Sequence, residues 1–428
     1  MTEVGIQTDS EPLLPPPAAD RAAAAATAAA EKAGRPMSRT RCLRLLLLLT
    51  AAASTLAIVY FAYLCPAGAC GGGGGGLGLG AGGPPGAPLA DRQGRPRLPS
   101  AADSLSFDQL LSEGVRFDVS GDDVMVFLHI QKTGGTEFGR HLVHDLDLER
   151  PCVCYRRKKR CQCLRPGRDS RWLFSRYSTG WRCGLHADWT ELTACVDEAM
   201  DQLERDRHKR RYFYISLLRE PVQRYLSEWK HVRRGATWST SRHWCGGRDA
   251  TEAELPHCYD GEDWYGVSLN EFLRCDSNLA ANRQTRMLAD LHLVNCYTGT
   301  GMSADERDRV MLASAKTNLR QMAFFGLTED QPRSQYMFEQ LFGLRFQTAF
   351  AAYNRTHAES ALRALRPGQL EEVRRRNALD LELYEYARQL LQERFERIRA
   401  ADDHFREHMD ALGTVDERGS TELEHQRR

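Results

Sequence analysis

Two uninterrupted apolar runs constrain this chain more than any other feature: VMVFLHI (124–130) and RYFYISLL (211–218). Runs without polar alternation suit strands covered on both faces. Each leads into a turn and then a helical pattern, and a third run, MAFFGLT (322–328), follows the helical pattern of 303–320. Such alternation predicts an α/β fold, a central parallel sheet flanked by helices. From about 360 to 410 the pattern is helical again, with Leu370, Val373, Leu381, Tyr384, Leu391, Phe395 and Ile398 near one face. A packed core helix is expected there, with a coiled-coil or calmodulin-type role as the alternative.

The N-terminal hundred residues follow other rules. Leu45–Cys65 has no charged residue over 21 positions, enough helix to cross a hydrocarbon core of roughly 30 Å. It starts too far from the N-terminus and lacks the small-residue cleavage pattern of a removed signal. Arg35, Arg39, Arg41 and Arg44 precede it, and no Lys or Arg follows it before Ala90. The positive-inside rule then assigns 1–44 to the cytosol and the rest to the far side. Residues 66–115, with CGGGGGGLGLGAGGPPGAP at 70–88, read as a Gly/Pro-rich stem, 116–412 as the folded domain and 413–428 as a polar tail.

Beyond the span and stem lie ten cysteines, an even number in an oxidising compartment, and a disulfide set is expected. CVCYRRKKRCQC (152–163) could also be read as a zinc knuckle, but its C-x-C spacing and the lack of an adjacent histidine argue against a metal. Asn354-Arg355-Thr356 is a glycosylation acceptor consistent with the same topology. The net charge is only +1, so affinity for an acidic partner must come from local clusters.

The first strand runs into HIQKTGGT (129–136). This is not the nucleotide loop G-x-x-x-x-G-K-[ST]: Lys132 precedes its glycines, and the first glycine is missing. The anion-holding kernel remains. Gly134 and Gly135 let main-chain N–H groups close on an anion, the next helix offers its N-terminus, and Lys132, Thr133 and Thr136 add charge and hydroxyls. The second strand leads into LLREPVQRYLSEW (217–229). Arg219 ends the strand, Pro221 starts a helix, and Ser227 follows on it, a second anion site. Glu220 could serve as a magnesium ligand, but a charge at a helix start is the commoner arrangement. Two anion sites without a metal carboxylate point to a nucleotide phosphorylated in two places.

The loop and the Arg-x7-Ser element resemble the 5′- and 3′-phosphate sites of sulfotransferases that use 3′-phosphoadenosine 5′-phosphosulfate. The wording of HIQKTGGT, WLFSRYSTGWRCGLHADWTEL, LLREPVQRYLSEWKHVRRGATW, NLAANRQTRMLADL and NLRQMAFFGLTE is similar to the Golgi heparan-sulfate 6-O-sulfotransferases, over roughly residues 120–400. The resemblance implies a P-loop-like sulfotransferase fold, that donor without a metal, heparan sulfate as acceptor, and a type II Golgi membrane protein. It implies a catalytic base at His186, and substrate contacts at Leu164, Arg165, Trp181, His186, His231 and Trp238. Lys132 is expected to stabilise the leaving phosphate. Tyr353, Thr356 and His357, in AAYNRTHAES (351–360), could close over the adenosine, with a plain surface loop as the alternative.

From the residues alone, His129 reads as a core residue, His141 as part of the loop's own helix, and His186, flanked by glycine in TGWRCGLHADW, as a side chain able to face a cleft. The stretch YRRKKRCQCLRPGRDSRW (155–172) reads either as a surface for a sulfated polysaccharide or as a solvated loop. Two other functions fit parts of the chain: an NTP-dependent sugar kinase, and a non-catalytic heparin-binding membrane protein.

Overall fold

The computed structural model describes residues 104–155, 160–350 and 362–414. The expected membrane span lies outside these, and among the described residues no helix is long and apolar enough to cross a bilayer. Tyr353, Thr356, His357 and the acceptor Asn354 also lie outside them.

The core is a four-stranded parallel sheet. Strand β1 is Asp123–Leu128, followed by helix α1, Gly135–His144; β2 is Leu173–Phe174, α2 Trp189–Glu204, β3 Arg211–Leu218, and α3 Pro221–Val232. Then come α4, Arg283–Leu288, α5, Ala304–Gln321, β4, Phe324–Leu327, and α6, Gln331–Phe342, with α7, Pro367–Arg376, and α8, Ala378–Ala400, closing the fold. The sheet order is β2-β1-β3-β4, all parallel. Every residue of β1 and β4, and all of β3 but Arg211, is buried, which is why these strands show no polar alternation. Register between β1 and β3 is fixed at one end by Arg211, whose Nε and Nη2 donate to Asp123 at 2.6 and 2.8 Å. At the other end Ser216 Oγ donates to the Leu128 carbonyl at 2.9 Å.

Two boundaries differ from the sequence-based expectation. The ordered fold begins before residue 116: Phe107 and Leu110 of the helix Phe107–Ser112 are buried in the core, and Arg394 lies 4.5 Å over the Phe107 ring. The helical region after 360 is broken at Asn377, where two helices meet. Its buried face in α8 runs through Leu383, Ala387, Leu390, Leu391, Arg394, Phe395 and Ile398, while Leu381 is only half-buried.

All ten cysteines pair: Cys152–Cys163, Cys154–Cys161, Cys183–Cys195, Cys245–Cys296 and Cys258–Cys275. His144, only eight residues before Cys152, comes within 4.8 Å of Cys154 and Cys161, so a histidine does lie near the C-x-C array. Those two sulfurs are bonded to each other and offer no thiolate to a metal.

Candidate active site

The glycine loop and Arg219 sit at the carboxyl ends of neighbouring strands β1 and β3, the usual place for a ligand on an open parallel sheet. Gly134 caps α1 with φ of 82°, a left-handed conformation that favours glycine. A Cβ on Gly135 would lie 2.4 Å from His129 Cδ2, so the loop packs directly onto that imidazole. Thr133 Oγ1 donates to the Ile130 carbonyl at 3.1 Å, and Thr328 Oγ1, just past β4, donates to the Thr133 carbonyl at 2.6 Å. Thr136 accepts from Arg176 Nη1 at 3.2 Å. Lys132 is half-buried; desolvation, with Arg234, Arg219 and Arg224 nearby, lowers its pKa, and Glu228 acts in the opposite direction.

Arg219 reaches back to this loop, its Nη1 donating to the Lys132 carbonyl at 3.2 Å. Its backbone is gripped from behind. Arg219 N donates to Gln284 Oε1, and Gln284 Nε2 donates to the Arg219 carbonyl, both at 2.9 Å. Gln284 belongs to α4, whose first amides at Gln284 and Thr285 donate to the buried Asp380 carboxylate of α8 at 3.1 and 2.8 Å. Ser227 lies half-buried in the second turn of α3. Glu220 caps that helix, accepting from Val222 N at 3.1 Å and Gln223 N at 2.7 Å, as a helix-start charge does.

Beside the loop lies an aromatic cluster. His186, at φ 53°, takes a strained left-handed backbone, an outlier of the kind that collects at functional sites. Its ring is 4.8 Å from His129, 4.7 Å from Trp181 and 6.3 Å from Trp238, and the His231 ring is 5.8 Å from Trp238. Burial pushes His186 down to about 4, with Arg283 and Arg176 adding to the effect. His231 is lowered too, by partial burial and then by Lys132 and Arg234, which ties this cluster to the loop. His129 is buried as expected, but just beyond β1 and against His186 rather than in the hydrophobic core proper.

Leu164 bridges to Arg171, and Arg165 lies at the opposite end of β1 from the loop. Arg165 is fully buried, its Nη2 donating to the carbonyls of Asp123 at 2.7 Å and Arg171 at 2.9 Å. Asp123 opens β1 whereas the loop follows its end, roughly 16 Å away along the strand. In this conformation Arg165 ties backbone together, donating also to the Val119 carbonyl at 3.2 Å. Within the basic stretch, Arg168 pairs with Asp122 at 3.0 Å, and residues 156–159 lie outside the described residues.

Three contributors escaped the sequence reading. Arg176, whose guanidinium is 5.5 Å over Trp181, links that indole to Thr136. Gln284 orients Arg219. Glu228, next to Ser227, is a buried carboxylate gripped by Arg224 and Arg283, which hold its pKa down against a large desolvation. None carries a local motif; each lies in a stretch quoted above, but only the tertiary contacts single it out.

Comparison with known proteins agrees with this geometry. The sequence model described as Sulfotransferase family matches residues 115–387. Heparan-sulfate 6-O-sulfotransferase 3-B of Danio rerio is 54% identical over 302 residues, 70% of this chain and 72% of its own length. Heparan-sulfate 6-O-sulfotransferase 2 of Danio rerio is 57% identical over 290 residues, 67% of this chain and 62% of its own. Heparan-sulfate 6-O-sulfotransferase 3 of Homo sapiens is 55% identical over 288 residues, 67% of this chain and 61% of its own. With an α/β fold built on a parallel sheet, a glycine loop at the β1 carboxyl end and this level of identity, the chain belongs to the sulfotransferase family, among the heparan-sulfate 6-O-sulfotransferases.

Proposed function

We propose that this chain transfers the sulfuryl group of 3′-phosphoadenosine 5′-phosphosulfate to the 6-hydroxyl of glucosamine in heparan sulfate. One observation carries the reading: a glycine loop and Arg219 meet at adjacent strand ends, and a neutral, half-buried histidine lies against two indoles beside them. The loop fits a 5′-phosphate, since Gly134 turns left-handed to start α1 and Lys132 places an amine beside it. Arg219 and Ser227 hold the 3′-phosphate. Trp181, Trp238 and His231 present rings on which a sugar can stack and to which it can hydrogen-bond. Tyr353, Thr356 and His357 remain candidates for covering the adenosine.

The step is an in-line displacement. The acceptor oxygen bonds to sulfur as the bond from sulfur to the bridging phosphate oxygen breaks, and the hydroxyl proton passes to His186 Nε2. A His186 Nδ1–H donating to a carbonyl leaves Nε2 with the lone pair, and a pKa near 4 keeps it unprotonated at neutral pH. Lys132 stabilises the charge that develops on the departing phosphate. Residues 45–65 anchor the chain as a type II Golgi membrane protein with the catalytic domain in the lumen; five disulfides support an oxidising compartment.

A kinase would need a carboxylate free for magnesium at a strand end, and Glu220 is taken up in capping α3. The test is transfer of labelled sulfate to a heparan-sulfate oligosaccharide, with the product position read by mass spectrometry or NMR. Sulfation at the glucosamine 6-position is expected. Stabilisation by ATP–Mg²⁺ but not by 3′-phosphoadenosine 5′-phosphate, with no sulfate transferred, would overturn it.

A further inference from the structure

Beyond Trp238 a cavity of about 200 Å³ opens between α3 and the segment 255–279. It is the size of one pyranose, and it shares only Trp238 with the acceptor contacts considered so far. Its outer wall is aromatic: the Tyr259 and Trp264 rings stack at 5.5 Å, and the disulfide Cys258–Cys275 ties that wall to the chain just after the helix Leu269–Arg274.

The inner wall is polar and almost fully buried. Arg283 is 5% exposed and Glu228 1%. Arg283 Nε donates to Glu228 Oε2 at 2.9 Å, Nη2 donates to Oε1, and the guanidinium lies 5.3 Å from the Trp238 ring. Among the described residues no oxygen accepts from Nη1. Gln131, also lining the cavity and 3% exposed, has an Oε1 without a partner among the described residues. Leaving a buried acceptor unmade is unfavourable, so Gln131 Oε1 marks where a ligand's polar group belongs, and the Arg283 Nη1 edge lies in the same wall.

We propose that this cavity seats the uronic acid neighbouring the target glucosamine, its carboxylate on Arg283 and its ring against Trp238 and Tyr259. The proposal rests on heparan sulfate being the acceptor. Glucosamine there alternates with uronic acid, so a carboxylate is the one anionic group each neighbour carries whatever its sulfation. A guanidinium held by one carboxylate through two N–H groups still has an edge to offer a second.

The test uses the full chain saturated with 3′-phosphoadenosine 5′-phosphate. Calorimetry compares an oligosaccharide of N-sulfoglucosamine and glucuronic acid with its carboxyl-reduced counterpart. The wild type should bind the uronate form about tenfold tighter. Arg283→Lys, which keeps a charge for Glu228 but loses the second edge, should erase that preference. Tyr259→Ala should weaken both acceptors alike, several-fold, with nucleotide affinity unchanged. Equal wild-type affinity for the two acceptors would overturn the proposal while leaving the heparan-sulfate reading intact; binding of neither would remove that reading as well. A preference that survives in Arg283→Lys is long-range charge attraction, and would also overturn it. Should Arg283→Lys not fold, the wild-type comparison and Tyr259→Ala decide.

Discussion

His186 Nδ1 lies 2.9 Å from the main-chain oxygen of His129. A carbonyl only accepts, so Nδ1 carries the hydrogen and Nε2 the lone pair. The same contact holds the ring 4.7 Å from Trp181 and 6.3 Å from Trp238. It also connects the candidate base to the strand that feeds the phosphate loop.

The pH dependence follows from burial. An ordinary histidine would lose activity on acidification near 6.5, but His186 is depressed to about 4. Initial turnover rates should therefore stay flat down to about pH 5, then fall as pH passes through about 4. Burial of the neutral ring has a stability consequence of the same sign. The unfolded chain binds the proton first, so stability that is complete above 6.5 is lost as pH falls toward 4. Rates are to be taken on enzyme shown folded by circular dichroism. An acid limb centred near 6.5 would contradict the buried environment.

Arg219→Ala should weaken nucleotides bearing a 3′-phosphate roughly tenfold or more, from a lost charge-assisted bond of about 1.5–3 kcal/mol. Ser227→Ala should act in the same direction and less strongly. Nucleotides without the 3′-phosphate should be little affected; equal loss for both kinds, by calorimetry, would separate this pair from the 3′-phosphate.

Gln284 offers a test of positioning without touching the nucleotide. Gln284→Leu removes both partners of the Arg219 backbone and leaves two buried polar groups unpaired, about 1–3 kcal/mol each. The melting temperature should fall by several degrees. Affinity for the 3′-phosphorylated nucleotide should fall with Arg219 still present, more than for the dephosphorylated one. A loss of stability without any loss of that selectivity would leave Gln284 a purely structural residue.

Truncation tests the boundary of the fold. A chain starting near Ser104 should be soluble and active, whereas one starting at Arg116 should lose stability. The latter removes Phe107 and Leu110 from the core and Asp108 from its 2.5 Å contact with Arg397. Equal melting temperatures for the two would contradict the packing of the helix Phe107–Ser112.

The sheet was legible in the sequence because its strands are buried on both faces and so read as unbroken apolar runs; β3 falls on the expected RYFYISLL. The loop was legible because a left-handed turn and close packing on His129 demand glycines. The short strand β2, only Leu173–Phe174, has too few residues to show a period. Arg165 was not legible as a core residue: a buried arginine bonded to backbone carbonyls looks in sequence like any member of a basic surface cluster. Arg176, Gln284 and Glu228 each reach a partner dozens of residues away, in Thr136, Arg219 and Arg283, and no local spacing encodes those contacts.

Replacing His186 by alanine is the most direct measurement of the account. Turnover onto the glucosamine 6-hydroxyl should fall by a factor of ~10²–10⁴, the usual contribution of a general base. Affinity for 3′-phosphoadenosine 5′-phosphate, measured by calorimetry on the same preparation, should stay within about twofold of wild type. His141→Ala serves as the control: that ring lies in α1, 2.5 Å from Asp145 and stacked on Phe350, and should alter stability before chemistry. A folded, nucleotide-binding His186→Ala enzyme that keeps a substantial fraction of wild-type turnover would contradict the assignment.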